Sequence, residues 1–431
     1  MRSWLAPLAA DDVPKAEHPI VPIDVERARR DTPGCRRVIH FGNAGASLMP
    51  RPVLDAVRRH LSLEARIGGY PAAARTRDAQ ERVYEAAARL LNCGADEIAL
   101  VESATRAWDH FFYAVPLHRG DRILTCVAEY GSNYIAFLQV ARRTGAVIEV
   151  VPNDVHGQLC VESLRRMLDE RVRLIAITHV PTNGGLVNPA AEVGLVARET
   201  GVLYLLDACQ SVGQMPIDVQ AIGCDGLAAT GRKFLRGPRG TGVLYVRRGV
   251  LEQLEPPFLD LHAASWAAAD RFEMRADARR FEAWEYSVAG RLGLGAAIAY
   301  ALGWGLEAIE SRVRLLSGSL REGLDAIPGV RTHDLGPDPC GIVTFSMEGF
   351  APDAIQGRLA RRGINVDVTT VGATRLEMEA RGLSALVRAA PHYYNTEEEV
   401  SRVLNAVGTV AGGRERRVSR RAPRLLHRRS Q

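Results

Sequence analysis

Lysine is nearly absent from this chain of 431 residues: of 55 basic side chains, 53 are arginine and two, Lys15 and Lys233, are lysine. Arginine keeps its proton and cannot act as a nucleophilic amine. The lysine retained at 233 therefore points to amine chemistry such as a Schiff base, whereas Lys15 lies in a polar N-terminal stretch and needs no such account. Other absences narrow the class. No run approaches about 18 consecutive apolar residues, so no transmembrane helix and no membrane partner are expected. The first residues hold no basic segment leading into an apolar run, so no secretory signal is expected. The seven cysteines (35, 93, 126, 160, 209, 224, 340) show no paired spacing and no CxxC. That argues for reduced thiols in a cytoplasmic protein and against a disulfide framework or a metal site. The Walker A pattern and the GxGxxG fingerprint are missing from the strand-to-helix turns, which counts against nucleotide binding.

What is present starts with charge. The formal net charge is +5, yet residues 412–431 carry eight arginines and one glutamate, a local +7 that leaves the rest of the chain near −2. The basic character belongs to a tail, which is expected to be solvated and disordered. Contact of that tail with nucleic acid or an anionic membrane is the lesser reading, and a nucleic-acid-binding regulator is more remote still, since no helix-turn-helix or winged-helix segment precedes the body. With 47% hydrophobic and 24% charged residues, the body itself has enough apolar content for one large or two medium domains.

The pattern divides the chain into an N-terminal arm (1–37), a large domain (38–285), a small C-terminal α+β domain (286–411) and the tail (412–431). In the large domain, apolar runs at 98–101, 122–128, 147–152, 174–180, 203–208, 227–230 and 241–247 alternate with helical patterns. Such alternation predicts an α/β fold with a mainly parallel seven-stranded sheet covered on both faces. Beyond 285 the spacing predicts one long helix, then CGIVTFSM as a strand, a helix at 352–362, GINVDV and a final helix EEEVSRVLNAVGTV.

Ligands of open α/β sheets sit beyond the carboxyl ends of the strands, and three segments end there with chemically loaded residues. LYLLD delivers Asp207, an acid that needs a cation at the end of an apolar strand; a ring-nitrogen cation would suit it, and a structural cap on the next turn is the plain alternative. TGRKFLRGPRGTGVLYV presents Thr230 and Arg232, both suited to phosphate oxygens, beside Lys233. VESATRAWDHF places Ser103, Ala104 and Thr105 at the start of a helix, an anion site by its free N–H groups, or otherwise only an N-cap. A lysine for an imine, an acid for a ring nitrogen and a phosphate cradle together describe pyridoxal 5'-phosphate binding.

These segments resemble the class V aminotransferase family, which includes cysteine desulfurases, selenocysteine lyases and isopenicillin N epimerases, over roughly residues 38–410. The resemblance implies the pyridoxal-phosphate fold type I and a homodimer. HFGNAGASLMP resembles the family's opening motif and implies that Asn43 approaches the substrate carboxylate. SAT resembles its phosphate loop. In AEYGSN, Tyr130 stands where the family usually has a histidine stacked on the cofactor ring. HVPTNGGLVNP implicates Thr182 or Asn183 at the ring oxygen, DACQ implicates Asp207 and Gln210, and TGRK implicates Lys233. RFEAWEYS resembles a segment that reaches the neighbouring subunit's phosphate, although Trp284 and Glu285 depart from the usual Gly-Thr. VRAAPHYYNTEEEV implies that Arg388 holds the substrate carboxylate.

IGGYPAAA, AEYGSN and RKFLRGPRGTGVL are similar to the hercynylcysteine sulfoxide lyase branch. Desulfurases carry a nucleophilic cysteine on the loop before the final arginine motif, and TTVGATRLEMEARGLSAL holds none. The expected function is therefore a C–S lyase that acts on a cysteine S-conjugate or sulfoxide and releases pyruvate and ammonia. Lys233 and Tyr130 are its expected catalytic residues, Tyr130 either as proton donor or only stacked on the ring. Transamination and epimerisation by the same machinery are the alternatives, and a nucleic-acid-binding regulator is the remote one. Cys340 is expected to be a packed core thiol.

Overall fold

Short apolar runs become strands here because both faces of the central sheet are buried. A computed structural model describes residues 21–419. The seven strands are β1 (Ile98–Val101), β2 (Arg122–Cys126), β3 (Val147–Val151), β4 (Val172–Thr178), β5 (Leu203–Asp207), β6 (Gly226–Thr230) and β7 (Gly242–Val246). Their spatial order is β1-β7-β6-β5-β4-β2-β3, and only β7 runs against its neighbours. Successive side chains feed opposite cores: on β4, Ile175 and Ile177 enter one cluster while Leu174 and Ala176 enter the other. That period of two explains the continuous apolar runs. The architecture is the expected α/β fold with a mainly parallel sheet.

Helices α1 (Arg51–Ile67), α2 (Arg77–Leu91), α3 (Ala104–Phe112) and α4 (Gly131–Thr144) belong to this body. The single long helix expected after 285 is two: α5 (Val288–Leu302) and α6 (Leu306–Asp325) meet at a 79° bend. Gly305 turns the corner with φ +83°, a conformation that only glycine adopts without strain. Helix α5 packs on α1 and α2, with Gly293 against Val57 and Gly295 against Val83. Farther along, α6 sends Leu316, Leu320 and Leu324 into a third core.

That third core lies beside an antiparallel sheet of β8 (Val330–Thr332), β9 (Val343–Met347), β10 (Asp367–Thr370) and β11 (Ala385–Ala389), ordered β8-β9-β11-β10. Helix α7 (Glu397–Ser419) covers it with Val400, Val403 and Val407. Ile39 and His40 pair in parallel with Ile364 and Asn365, so the start of the large-domain segment is tied into the small domain. Residues 25–37 fold onto the body in place of a free arm: Ala28 and Thr32 are wholly buried, and Arg29 pairs with Glu399 at 2.9 Å. The expected tail begins as helical backbone up to Ser419; residues 420–431 and 1–20 lie outside the described residues. No single helix among the described residues is long and apolar enough to cross a membrane.

Candidate active site

Five strands end at one cleft, which encloses about 560 Å³ of empty space including its mouth. Strand β1 leads through Ser103 into α3. Ser103 caps that helix by accepting from the Arg106 N–H at 3.1 Å. The close approach is permitted by Gly242 on β7, where a Cβ would lie 2.6 Å from the Ser103 carbonyl carbon. A helix N-terminus so presented carries partial positive charge and favours an anion. Strand β2 leads through Glu129 and Tyr130 into α4, β4 through Thr178 to Val180 and Thr182, and β5 through Asp207 to Cys209 and Gln210. Beyond β6 come Thr230, Arg232 and Lys233. All these cleft residues except Glu129 line its wall, together with Ala104, Thr105 and Asn133.

Asp207 is 6% exposed and accepts from the Cys209 N–H and from Asn133 Nδ2, both at 2.9 Å. Burial raises its carboxyl above the usual range, partly countered by those donors and by the charge of Lys233. The charge of Lys233 also acts on the Cys209 thiol and lowers its pKa, but desolvation nevertheless holds it above the ordinary value. Gln210 Nε2 donates to Thr182 Oγ1 at 3.0 Å and to the Ala44 carbonyl at 3.2 Å. Arg388 reaches across from β11: its Nη1 donates to Thr182 Oγ1 at 2.5 Å, and its Nη2 to Asp367 at 3.0 Å.

Two expected residues are directed elsewhere. Asn43 is fully buried, with its amide on the His40 and Ala390 carbonyls and its oxygen accepting from Tyr394 at 2.5 Å. No polar atom of Asn43 is left for a substrate carboxylate. Asn183 donates to Thr374 Oγ1 at 2.8 Å and accepts from Thr369, so of the pair Thr182 faces the cleft and Asn183 bonds into the small domain. Asn133 and Cys209 were not expected in the wall. Asn133 follows Glu129 by one helical turn, and Cys209 lies inside the DACQ motif, so both had a local signal. A separate cleft at the amino ends of β5 and β6 is lined by Arg198, Cys224, Asp225 and Arg247 and holds none of the candidate residues.

The main cleft fits pyridoxal phosphate by its donor set: one primary amine, a buried acid at a strand end, and a helix N-terminus with an arginine nearby. The Gln210 Oε1 is buried without a hydrogen-bond partner, as suits an acceptor kept for a ligand. Fold and cleft together define a pyridoxal-phosphate-dependent enzyme of fold type I. The sequence profile of the aminotransferase class-V family matches residues 39–403, and the chain belongs to that family.

Named relatives agree. A probable cysteine desulfurase of Xylella fastidiosa is 33% identical over 398 residues, covering 89% of this chain and 95% of that protein. The cysteine desulfurase of Synechococcus elongatus is 30% identical over 406 residues; the match spans 91% of this chain and 64% of that longer protein. Among solved structures, the apo cysteine desulfurase of Thermococcus onnurineus NA1 superposes with a TM-score of 0.84 at 28% identity, covering 90% of this chain and 98% of that one.

Proposed function

We propose that the enzyme is a C–S lyase that acts on a cysteine S-conjugate or sulfoxide and releases pyruvate and ammonia by β-elimination. The observation that carries this reading is the make-up of residues 369–386, which hold no cysteine. They run from the end of β10 through a tight turn at Val371–Ala373 and a helix at Arg375–Ala380 to the start of β11. The thiol in the cleft is Cys209, half-buried beside Lys233, and desolvation holds its pKa above the ordinary value. A thiol so held is a poor nucleophile, which argues against a persulfide relay. Cys340 is 1% exposed, in keeping with a packed core thiol. The names of the relatives support breakage of a carbon–sulfur bond; the likeness to hercynylcysteine sulfoxide lyase rests on the three motifs alone.

In this reading Ser103, Ala104, Thr105, Thr230 and Arg232 would hold the phosphate, Asp207 would pair with the ring nitrogen, and Thr182, whose hydroxyl accepts from Gln210, would serve the ring oxygen. When bound, the cofactor supplies the electron sink for the pair left at Cα. Lys233 anchors the cofactor and then, released, takes the Cα proton on Nζ. Arg388 clamps the α-carboxylate through its planar donors. Tyr130, which lines the cleft at the start of α4, would cover the ring, and its hydroxyl would be the proton donor to the departing sulfur unless the side chain serves only to stack. The C–S bond electrons leave with that sulfur, and the unsaturated amino acid left behind hydrolyses to pyruvate and ammonia.

The same reading places the enzyme in a reducing cytoplasm, in keeping with free cysteines throughout the described residues, and in a homodimer. The hairpin Ala264–Ala268/Arg271–Met274 pairs Trp266 with Phe272, exposed by 74% and 52%, and Phe258 and Leu261 are exposed on the segment just before it. Exposed apolar clusters of this kind mark association surfaces. The deciding assay follows pyruvate, ammonia and sulfur product from a panel of cysteine S-conjugates and sulfoxides, with Lys233→Ala as control. Pyruvate in step with sulfur release, lost in the variant, is the expected result. Alanine with sulfur transferred to a thiol would make it a desulfurase, and amino exchange or racemisation without pyruvate would make it a transaminase or epimerase.

A further inference from the structure

Behind the cleft lies a second carboxylate that the reaction described above does not use. Glu129 is 3% exposed. Its Oε1 accepts from Thr178 Oγ1 at 2.6 Å, the Tyr130 N–H at 2.8 Å and Asn133 Nδ2 at 2.8 Å. Its Oε2 accepts from Thr125 Oγ1 at 3.0 Å and from the Cys126 thiol at 3.7 Å. The same Asn133 nitrogen donates its other proton to Asp207 Oδ2 at 2.9 Å. One amide nitrogen therefore spans two buried carboxylates, and only one of them faces the cofactor cleft.

We propose that Glu129 is a positioning residue for the ring-nitrogen partner: through Asn133 it orients Asp207, and its proton is given up when Asp207 receives a cationic ring. Two anions joined by one donor in a low-dielectric interior disfavour each other's charge. A cation delivered to Asp207 removes that repulsion, and the five donors around Glu129 then stabilise its ionised form. The titratable groups around the bridge are Asp207 on β5, Cys209 just beyond it, Cys126 at the end of β2, Tyr130 at the start of α4, His179 just after β4 and Lys233 beyond β6. Burial, followed by the charge of Asp207, raises Glu129 to about 7 against the opposing hydrogen bonds of Thr178, Asn133 and the Tyr130 N–H. Proton release on loading thus falls in the neutral range.

The inference rests on the chain binding pyridoxal phosphate, and its test reads binding itself. Cofactor is titrated into the full-length apo-protein between pH 6 and 8 by calorimetry in two buffers of different ionisation enthalpy. The wild type, Glu129→Gln and Asn133→Ala are compared after circular dichroism has checked that each is folded. Because protons leave on loading, cofactor affinity of the wild type rises with pH relative to Glu129→Gln. The expected difference is up to about half a proton near pH 7, by linkage at the midpoint of a titration. Asn133→Ala loses affinity at every pH and loses the extra proton release as well. Equal proton counts in wild type and Glu129→Gln overturn the inference while leaving the cofactor reading intact. Failure of the wild type to bind the cofactor overturns both. If neither variant folds, infrared difference spectra of the wild type with isotopically labelled glutamate decide: loss of a protonated glutamate carboxyl band on cofactor binding near pH 7 supports the inference, and its absence overturns it.

Discussion

Arg388 and Thr182 meet where the small sheet touches the cofactor cleft: the guanidinium Nη1 donates both to the Thr182 carbonyl at 3.1 Å and to its hydroxyl at 2.5 Å. The same hydroxyl accepts from Gln210 at 3.0 Å, so one threonine links Gln210, just beyond β5, to Arg388 of β11, which lies 206 positions from Thr182 in the chain.

Replacing Arg388 therefore separates substrate binding from cofactor binding. Arg388→Ala should raise KM for the amino-acid substrate by about 10- to 100-fold, the worth of charge-assisted hydrogen bonds of roughly 1.5–3 kcal/mol. Arg388→Lys should recover little, because a point charge does not reproduce the planar fork. The absorbance of bound cofactor should stay unchanged in both. Steady-state kinetics beside a cofactor titration checks this, and an unaltered KM would remove Arg388 from the substrate site.

Arg236 holds the turn that follows Lys233. It is 1% exposed, donates to the Leu48 carbonyl at 3.0 Å, to Tyr393 at 2.7 Å and to Thr32 at 2.5 Å, and lies 4.4 Å from the Tyr394 ring centroid. Arg236→Met keeps the stem but strands those acceptors. It should cost about 3 kcal/mol of stability, measured by denaturant unfolding, and should speed cofactor loss by loosening the Lys233 turn.

Glu282 anchors the segment that carries the exposed hairpin. Its side chain is wholly buried, accepts from the Leu100 N–H at 2.8 Å and Tyr84 at 2.9 Å, and pairs with Arg291 at 2.9 Å and His262 at 3.3 Å. Burial pushes its carboxyl up, but His262, Arg291 and the Leu100 N–H together hold it below the usual value. A depressed carboxyl contributes stability that is present above its unfolded pKa of about 4.3 and is lost as pH falls through the folded value. Glu282→Gln should cost about 3–5 kcal/mol at neutral pH by unpairing a buried arginine. The melting temperature of the variant should also fall less steeply on acidification than that of the wild type; parallel acid limbs would refute the assignment.

Much of this protein is legible before folding. The alternation of LIAIT, LYLLD and GLAAT with helical stretches specifies a buried parallel sheet, because strands covered on both faces need apolar side chains at every position. The rarity of lysine singles out Lys233, and Asp207 stands out as an acid ending an apolar strand. The elbow between α5 and α6 was not legible, since AYALGWGLEAI keeps helical spacing across it and the packing of α5 on α1 and α2 forces the turn.

Side-chain partnership is a different matter. Asn43 and Asn183 carry the same groups as Asn133, and their motifs gave no sign that the first two would be consumed by Ala390, Tyr394 and Thr374. Nor does local sequence reveal that Asn133 would span Glu129 and Asp207, which lie 78 residues apart in the chain. Periodicity and residue chemistry determined the sheet, the amine and the acid, because each depends on near neighbours and on burial alone. Only the tertiary structure decided which amide faces the cleft and which two carboxylates it bridges, because a hydrogen bond needs two groups placed within about 3 Å, and that placement comes from strands packed far from one another in sequence.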